Sequence, residues 1–125
     1  MKLIRSSFAR LILRFRYPCS LPEEVASDLG LKISNAVTFP QLIHCLTNPA
    51  HRPTKLVRFM PREQADQIFK TALRKEIFKK DSLYSYHFNG GWMEFMLQFD
   101  EQSRLRRLYI QHKDIKQKCE ISISQ

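Results

Sequence analysis

The chain reads as an α+β domain: short N-terminal helices, then a β-strand, one long amphipathic helix, and a three-stranded antiparallel β-meander packed on it. Three observations predict this. Two proline-containing stretches before residue 50 carry helix-capping signals at both ends. An apolar stripe with spacings of three and four runs from Ala65 to Ile77. Beyond residue 83, apolar residues alternate on both sides of Gly90-Gly91. A length of 125 residues with 43% apolar content suits a single core. Residues 19–125 are expected to form that α+β domain, and residues 1–18 a basic amphipathic arm or helix.

The opening "MKLIRSSFARLILRFRYPCS" holds five of the 21 Lys and Arg residues, Lys2, Arg5, Arg10, Arg14 and Arg16, and the first acid is Glu23. Leu3, Ile4, Phe8, Leu11, Ile12 and Phe15 fall on one side of a helix, which Tyr17 and Pro18 end. Arginines interrupt every window of the ~20 apolar residues that a membrane span needs. A secretory signal fits poorly, for want of an uninterrupted apolar core before a small-residue cleavage site. Three fates are consistent with the pattern: packing of the apolar side on the domain, contact of residues 1–16 with a membrane surface or nucleic acid, or removal as an organelle transit peptide. Packing is favoured, because an amphipathic stripe needs burial.

In "SLPEEVASDLG", Ser20 is placed to cap a helix, Glu23 to complete a capping box, Pro22 to occupy the first turn and Gly30 to stop it. "TFPQLIHCLTNP" repeats the device with Thr38, Gln41, Pro40 and Asn48-Pro49. Val25, Ala26, Leu29, Gly30, Leu31, Ala36 and Phe39 also fit the buried positions of a helix-turn-helix whose recognition helix starts near Lys32. Pro40 would lie inside that helix at a cost of ~3 kcal/mol, so two separately capped helices are preferred. "TNPAHRPTK" is a turn-rich connector, and "KLVRFM" reads as a strand ended by Pro61.

"PREQADQIFKTALRKEIFKK" supplies the long helix over residues 61–78, with Ala65, Ile68, Phe69, Ala72, Leu73 and Ile77 on its apolar side. Tyr84, Tyr86 and Phe88 then alternate with polar residues, and Met93, Phe95, Leu97 and Phe99 alternate with Trp92, Glu94, Met96 and Gln98. "DEQS" turns the chain into "RLRRLYIQH", and "CEISIS" adds a short final strand.

The formal charge is +9 and the isoelectric point is near 9.8. Such a balance favours an anionic partner, either nucleic acid or an acidic protein surface. The expected anion-binding residues are Arg10, Arg14, Arg16, Lys75, Lys79, Lys80, Arg104, Arg106 and Arg107. Tyr84, Tyr86 and Trp92 are the aromatics available for base stacking, although half of them must face the core. Cys19, Cys45 and Cys119 are odd in number and widely spaced, which fits neither a disulfide framework nor a zinc site and predicts reduced thiols in a cytoplasmic protein. No phosphate-binding glycine motif and no nucleophile elbow is present, so no cofactor and no catalytic residue is assigned. His87 and His112 with Glu94 form a weak acid–base alternative if the meander brings them together. The expected function is non-enzymatic binding of an anionic partner; the alternative is a protein-interaction adaptor or secretion-type chaperone using a sheet edge or apolar groove.

Overall fold

The computed structural model describes residues 19–31, 38–48 and 52–123. Among the described residues, three short helices, α1 (Pro22–Leu29), α2 (Phe39–Thr47) and α3 (Arg62–Asp66), accompany one five-stranded antiparallel sheet. Its strands are β1 (Arg74–Ile77), β2 (Asp81–Phe88), β3 (Gly91–Phe99), β4 (Leu105–Gln111) and β5 (Cys119–Ile121), in spatial order β1-β2-β3-β4-β5. The α+β character and the hairpins through β2, β3 and β4 match the period-two pattern. The long amphipathic helix and the three-stranded meander do not: the regular structure of the described residues is mostly sheet, with two further strands at its edges.

The error lies in residues 61–78. Only Arg62–Asp66 is helical, and the chain then turns through 67–73 and enters β1. Ala65 and Phe69 are buried and Ile68 and Ala72 partly so, but Ile77 is 60% exposed. The spacing of the stripe imitates a helical face because a short helix and an edge strand happen to contribute apolar residues in succession. Pairing with the backbone of β2 overrides the good helix propensity of "TALRKEIF". The strand expected in "KLVRFM" is also absent. Phe59 adopts φ 72°, in the left-handed region, which breaks the extended run; what remains is single bridges at Val57 and Pro61, the latter to Arg104, and backbone bonds of Phe59 and Met60 with Leu105.

Helix boundaries follow their caps, with one exchange of roles. At α2 the Thr38 hydroxyl accepts from the Gln41 backbone N–H at 3.3 Å and the Thr38 N–H donates to Gln41 Oε1 at 3.0 Å. Because Thr38 is extended, Pro40 falls in the first turn, and a helix continuous from Lys32 into the forties is ruled out. At α1 the cap residue is Leu21, whose N–H donates to Glu24 Oε1 at 2.9 Å, and Gly30 stops the helix at φ 72°. Ser20 instead runs beside β2, donating its N–H to the His87 carbonyl at 2.8 Å and accepting from the His87 N–H at 3.1 Å. The β2–β3 turn places positive φ at Asn89 and Gly90, so Gly91 already belongs to β3.

One sheet face carries Tyr84, Tyr86, Phe88, Met93, Phe95, Leu97, Leu108, Ile110 and Ile121 into a core with Val25 and Leu29 of α1 and Leu42 and Leu46 of α2. Phe69 stacks on Tyr84 with centroids 4.5 Å apart. A buried carboxylate ties this assembly together. Asp28 Oδ2 accepts from the Thr71 N–H at 2.9 Å, the Thr71 hydroxyl at 2.5 Å and the Tyr86 hydroxyl at 2.7 Å. Burial first, and then the bond to Asp28, pushes the Tyr86 phenol far above its ordinary range; burial and the neighbouring Asp66 do the same to Tyr84. The opposite face presents Leu83, Trp92, Glu94, Met96, Gln98, Arg107 and Tyr109, in register across β2, β3 and β4. Among the described residues, no helix is long and apolar enough to cross a membrane.

Candidate functional site

Strand pairing and turns decide where the cations fall. Arg10, Arg14 and Arg16, with the amphipathic arm expected for residues 1–18, lie outside the described residues. Lys79 and Lys80 occupy the β1–β2 turn, while Arg104 and Arg106 flank the start of β4. Arg62 joins these two turns. Its guanidinium donates to the carbonyls of Phe78 at 2.7 Å, Lys79 at 2.9 Å and Asp81 at 2.7 Å, and its backbone N–H donates to Ser103 O at 2.9 Å. Lys79, Lys80, Arg104 and Arg106 therefore share one end of the sheet. Lys75 belongs to the outer edge, and Arg107 to the open face, where it donates to the Tyr109 hydroxyl at 3.4 Å.

Not all of this charge is available. Arg104 Nε lies 3.2 Å and Arg106 Nη1 3.6 Å from the same Asp100 oxygen, and both guanidiniums sit over the Phe59 ring, at 5.5 and 4.8 Å. Desolvation raises the Asp100 carboxyl, but the Arg104 N–H and guanidinium outweigh it and hold it below its ordinary value. With Glu101 exposed in the same turn, the two arginines are balanced by two acids there.

The β1 edge is different. Lys70, Arg74, Lys75, Lys79 and Lys80 surround it with Glu76 as the one acid between residues 70 and 80, and all six are exposed. Arg74 and Glu76 lie on the open face of the sheet, opposite Ser85 and Leu83; Lys75 and Ile77 lie on the core face, opposite Tyr84 and Ser82. The Phe78 N–H donates to Asp81 O at 2.8 Å, so by antiparallel alternation the N–H and C=O groups of Lys75 and Ile77 point away from β2. Among the described residues, no strand pairs with them. Leu73, Ile77 and Phe78 are 39%, 60% and 54% exposed along the same edge.

At the other end of the sheet, the β4–β5 loop closes over a groove of about 390 Å³ lined by Trp92, Glu94, Gln111, Lys113, Lys116 and Lys118. His112 anchors this loop. It is buried, with Nε2 3.0 Å from the Phe88 carbonyl and Nδ1 accepting from the Asp114 N–H at 3.0 Å, which fits the tautomer protonated on Nε2. The Arg74 guanidinium lies 4.7 Å from the Trp92 ring centroid, and the His87 ring meets the indole edge-on at 5.1 Å.

These placements correct the acid–base alternative. His87 stands on the open face beside Trp92, whereas His112 is turned inward against Phe39, so the two imidazoles do not converge on Glu94. Tyr84 and Tyr86 are core residues, which leaves Trp92 and Tyr109 as the aromatics of the open face. Sequence reasoning missed the three loop lysines, although "HKDIKQK" displays them, and it missed Arg62 and Asp28, whose side-chain hydrogen bonds reach residues at least 16 positions away. None of the three cysteines forms a disulfide; Cys45 is buried on α2, and burial pushes its thiol up. Among the described residues, no group of three His, Cys, Asp or Glu side chains is arranged to hold a metal ion. Comparison with protein-family models, curated proteins and solved structures finds no match to this chain.

Proposed function

We propose that the protein is a binding module for an acidic polypeptide segment, taken up as an added strand along β1. The observation that carries this reading is the combination of an open backbone edge, uncovered Ile77 and Phe78, and five basic side chains around one acid. An extended segment laid beside β1 pairs with the outward N–H and C=O groups of Lys75 and Ile77 and sets apolar side chains on Ile77 and Phe78. Its carboxylates meet Lys75, Lys79 and Lys80. Lysine on a short edge strand also discourages a strand of like charge from pairing there, so the same side chains reject basic segments and accept acidic ones.

The test is fluorescence anisotropy of a labelled extended peptide with alternating glutamate and valine, titrated with the full chain. Saturable binding that Lys75→Glu/Lys79→Glu weakens by about tenfold or more is expected, since each rim charge contributes up to ~1 kcal/mol. Binding unaffected by that double change would refute the reading. Nucleic acid is the second reading, supported by the shared position of Lys79, Lys80, Arg104 and Arg106 at one sheet end beside the exposed Phe59. It requires oligonucleotide affinity that falls steeply with salt, by roughly 0.7 to 0.9 logarithmic units per phosphate contact for each tenfold rise.

A further inference from the structure

We propose that the groove between Trp92 and the β4–β5 loop is a separate ligand site, and that it takes a nucleoside phosphate, either free or as one residue of a single strand. Its volume of about 390 Å³ falls within the ~300–1,000 Å³ of small-molecule sites and is too small for a folded partner. Lys116 and Lys118, and Lys113 whose Nζ lies 3.7 Å from Asp114 Oδ1, line the groove with one carboxylate, Glu94, so the lining is positive on a mildly basic body. An indole among those cations adds the flat apolar surface that a free inorganic anion does not use.

The site is held in place before any ligand arrives. Buried His112 fixes the start of the loop through Phe88 O and the Asp114 N–H, and the Ile115 N–H donates to His112 O at 2.9 Å. Ile115 packs against the core, so the loop that carries the lysines is pinned at its middle as well. A Cβ on Gly91 would stand 2.9 Å from Lys113 Cδ; the glycine leaves room for the Lys113 chain to lie across the start of β3. Arg74 and His87 hold the indole. Lys118 Nζ sits 5.0 Å from the Tyr109 ring centroid, which fixes the far wall.

Glu94 gives the site a preference among bases. A carboxylate accepts hydrogen bonds and repels phosphate, so it suits the base end of the ligand and favours a base that bears an exocyclic amino group. The lysines then take the phosphate. Adenosine monophosphate is the probe that satisfies both ends, and inosine monophosphate is the same shape with the amino group replaced by an oxygen.

Trp92 is the chain's single tryptophan, so its fluorescence reports the groove directly. The full chain is titrated with adenosine monophosphate, inosine monophosphate, inorganic phosphate and a short single-stranded oligonucleotide. Saturable quenching by adenosine monophosphate is expected, at least fivefold tighter than by inosine monophosphate, with inorganic phosphate ineffective. Lys116→Glu/Lys118→Glu should weaken it tenfold or more while leaving the free protein's emission and thermal unfolding unchanged, and Glu94→Gln should erase the preference between the two nucleotides. An oligonucleotide bound more than tenfold tighter than the mononucleotide assigns the ligand to a strand; equal affinity assigns it to the free nucleotide. No saturable response to any nucleotide, equal response to inorganic phosphate, or indifference to the lysine reversals would overturn the proposal. The edge-binding reading is untouched by any of these results, because Lys75→Glu/Lys79→Glu changes none of the groove's lysines.

Discussion

Replacing Asp28 by alanine should cost the fold about 4 kcal/mol. One carboxylate oxygen serves three donors, at 2.9 Å from the Thr71 N–H, 2.5 Å from the Thr71 hydroxyl and 2.7 Å from the Tyr86 hydroxyl. Tyr86 is fully buried, and the Thr71 amide lies in a partly buried bond, so two donors are left without an acceptor. Each orphaned donor costs ~1–3 kcal/mol, whereas the partly exposed Thr71 hydroxyl can turn to water. Tyr86→Phe removes the phenol donor and should cost ~1.5–3 kcal/mol, the range for a bond to a charged acceptor. In the double variant the phenol no longer needs an acceptor, so the combined loss should fall short of additivity by about 1–2 kcal/mol. Urea titration followed by Trp92 fluorescence measures all three. For a domain of this size, about 4 kcal/mol corresponds to a midpoint lowered by roughly 15 °C. An Asp28→Ala loss below about 1 kcal/mol, or strict additivity with Tyr86→Phe, would refute the claim that this carboxylate joins α1 to the sheet.

Two further outcomes follow from the interior. Arg62→Lys should destabilise the protein by about 2 kcal/mol and speed hydrogen exchange at the Phe99 N–H, which donates to Lys80 O, because an ammonium cannot span carbonyls that a planar guanidinium reaches together; unchanged exchange at that amide would show that Arg62 does not set the turn. Tyr84 and Tyr86 both ionise above their ordinary value in the fold and near pH ~10 when unfolded, so stability is complete below pH ~10 and falls by about 1.4 kcal/mol per pH unit for each as pH rises further. Their tyrosinate absorbance should appear together with loss of the near-ultraviolet dichroism, and ionisation of every tyrosine near pH ~10 in an intact fold would contradict this.

What could be read in advance depended on how local the cause was. Caps act over three or four residues, so Thr38, Gln41 and Gly30 announce α1 and α2 directly. The hairpin β2–β3 is equally legible, since Asn89-Gly90 and the alternation around it share one short window. The stretch 61–78 was misread because its helical spacing is real in the letters, while the decision rests on β2, which comes later in the chain and offers its backbone to residues 74–77. The same reason hides the groove. Trp92 and Lys118 lie 26 residues apart, and only the closure of β4 and β5 around His112 brings them to one rim. Lys79 and Lys80 were singled out from local crowding, but their alignment with Arg104 depends on Arg62.

Because α2 touches β5 and its Leu42 and Leu46 share a cluster with Ile121, a helix made early in the domain finds its resting surface on a strand made much later. During translation, the greasy side of α2 stays wet until β5 has left the ribosome. A chain cut short before Cys119 loses more than three residues of sheet: it leaves an earlier half without a lid and hands it to whatever chaperone or protease arrives first.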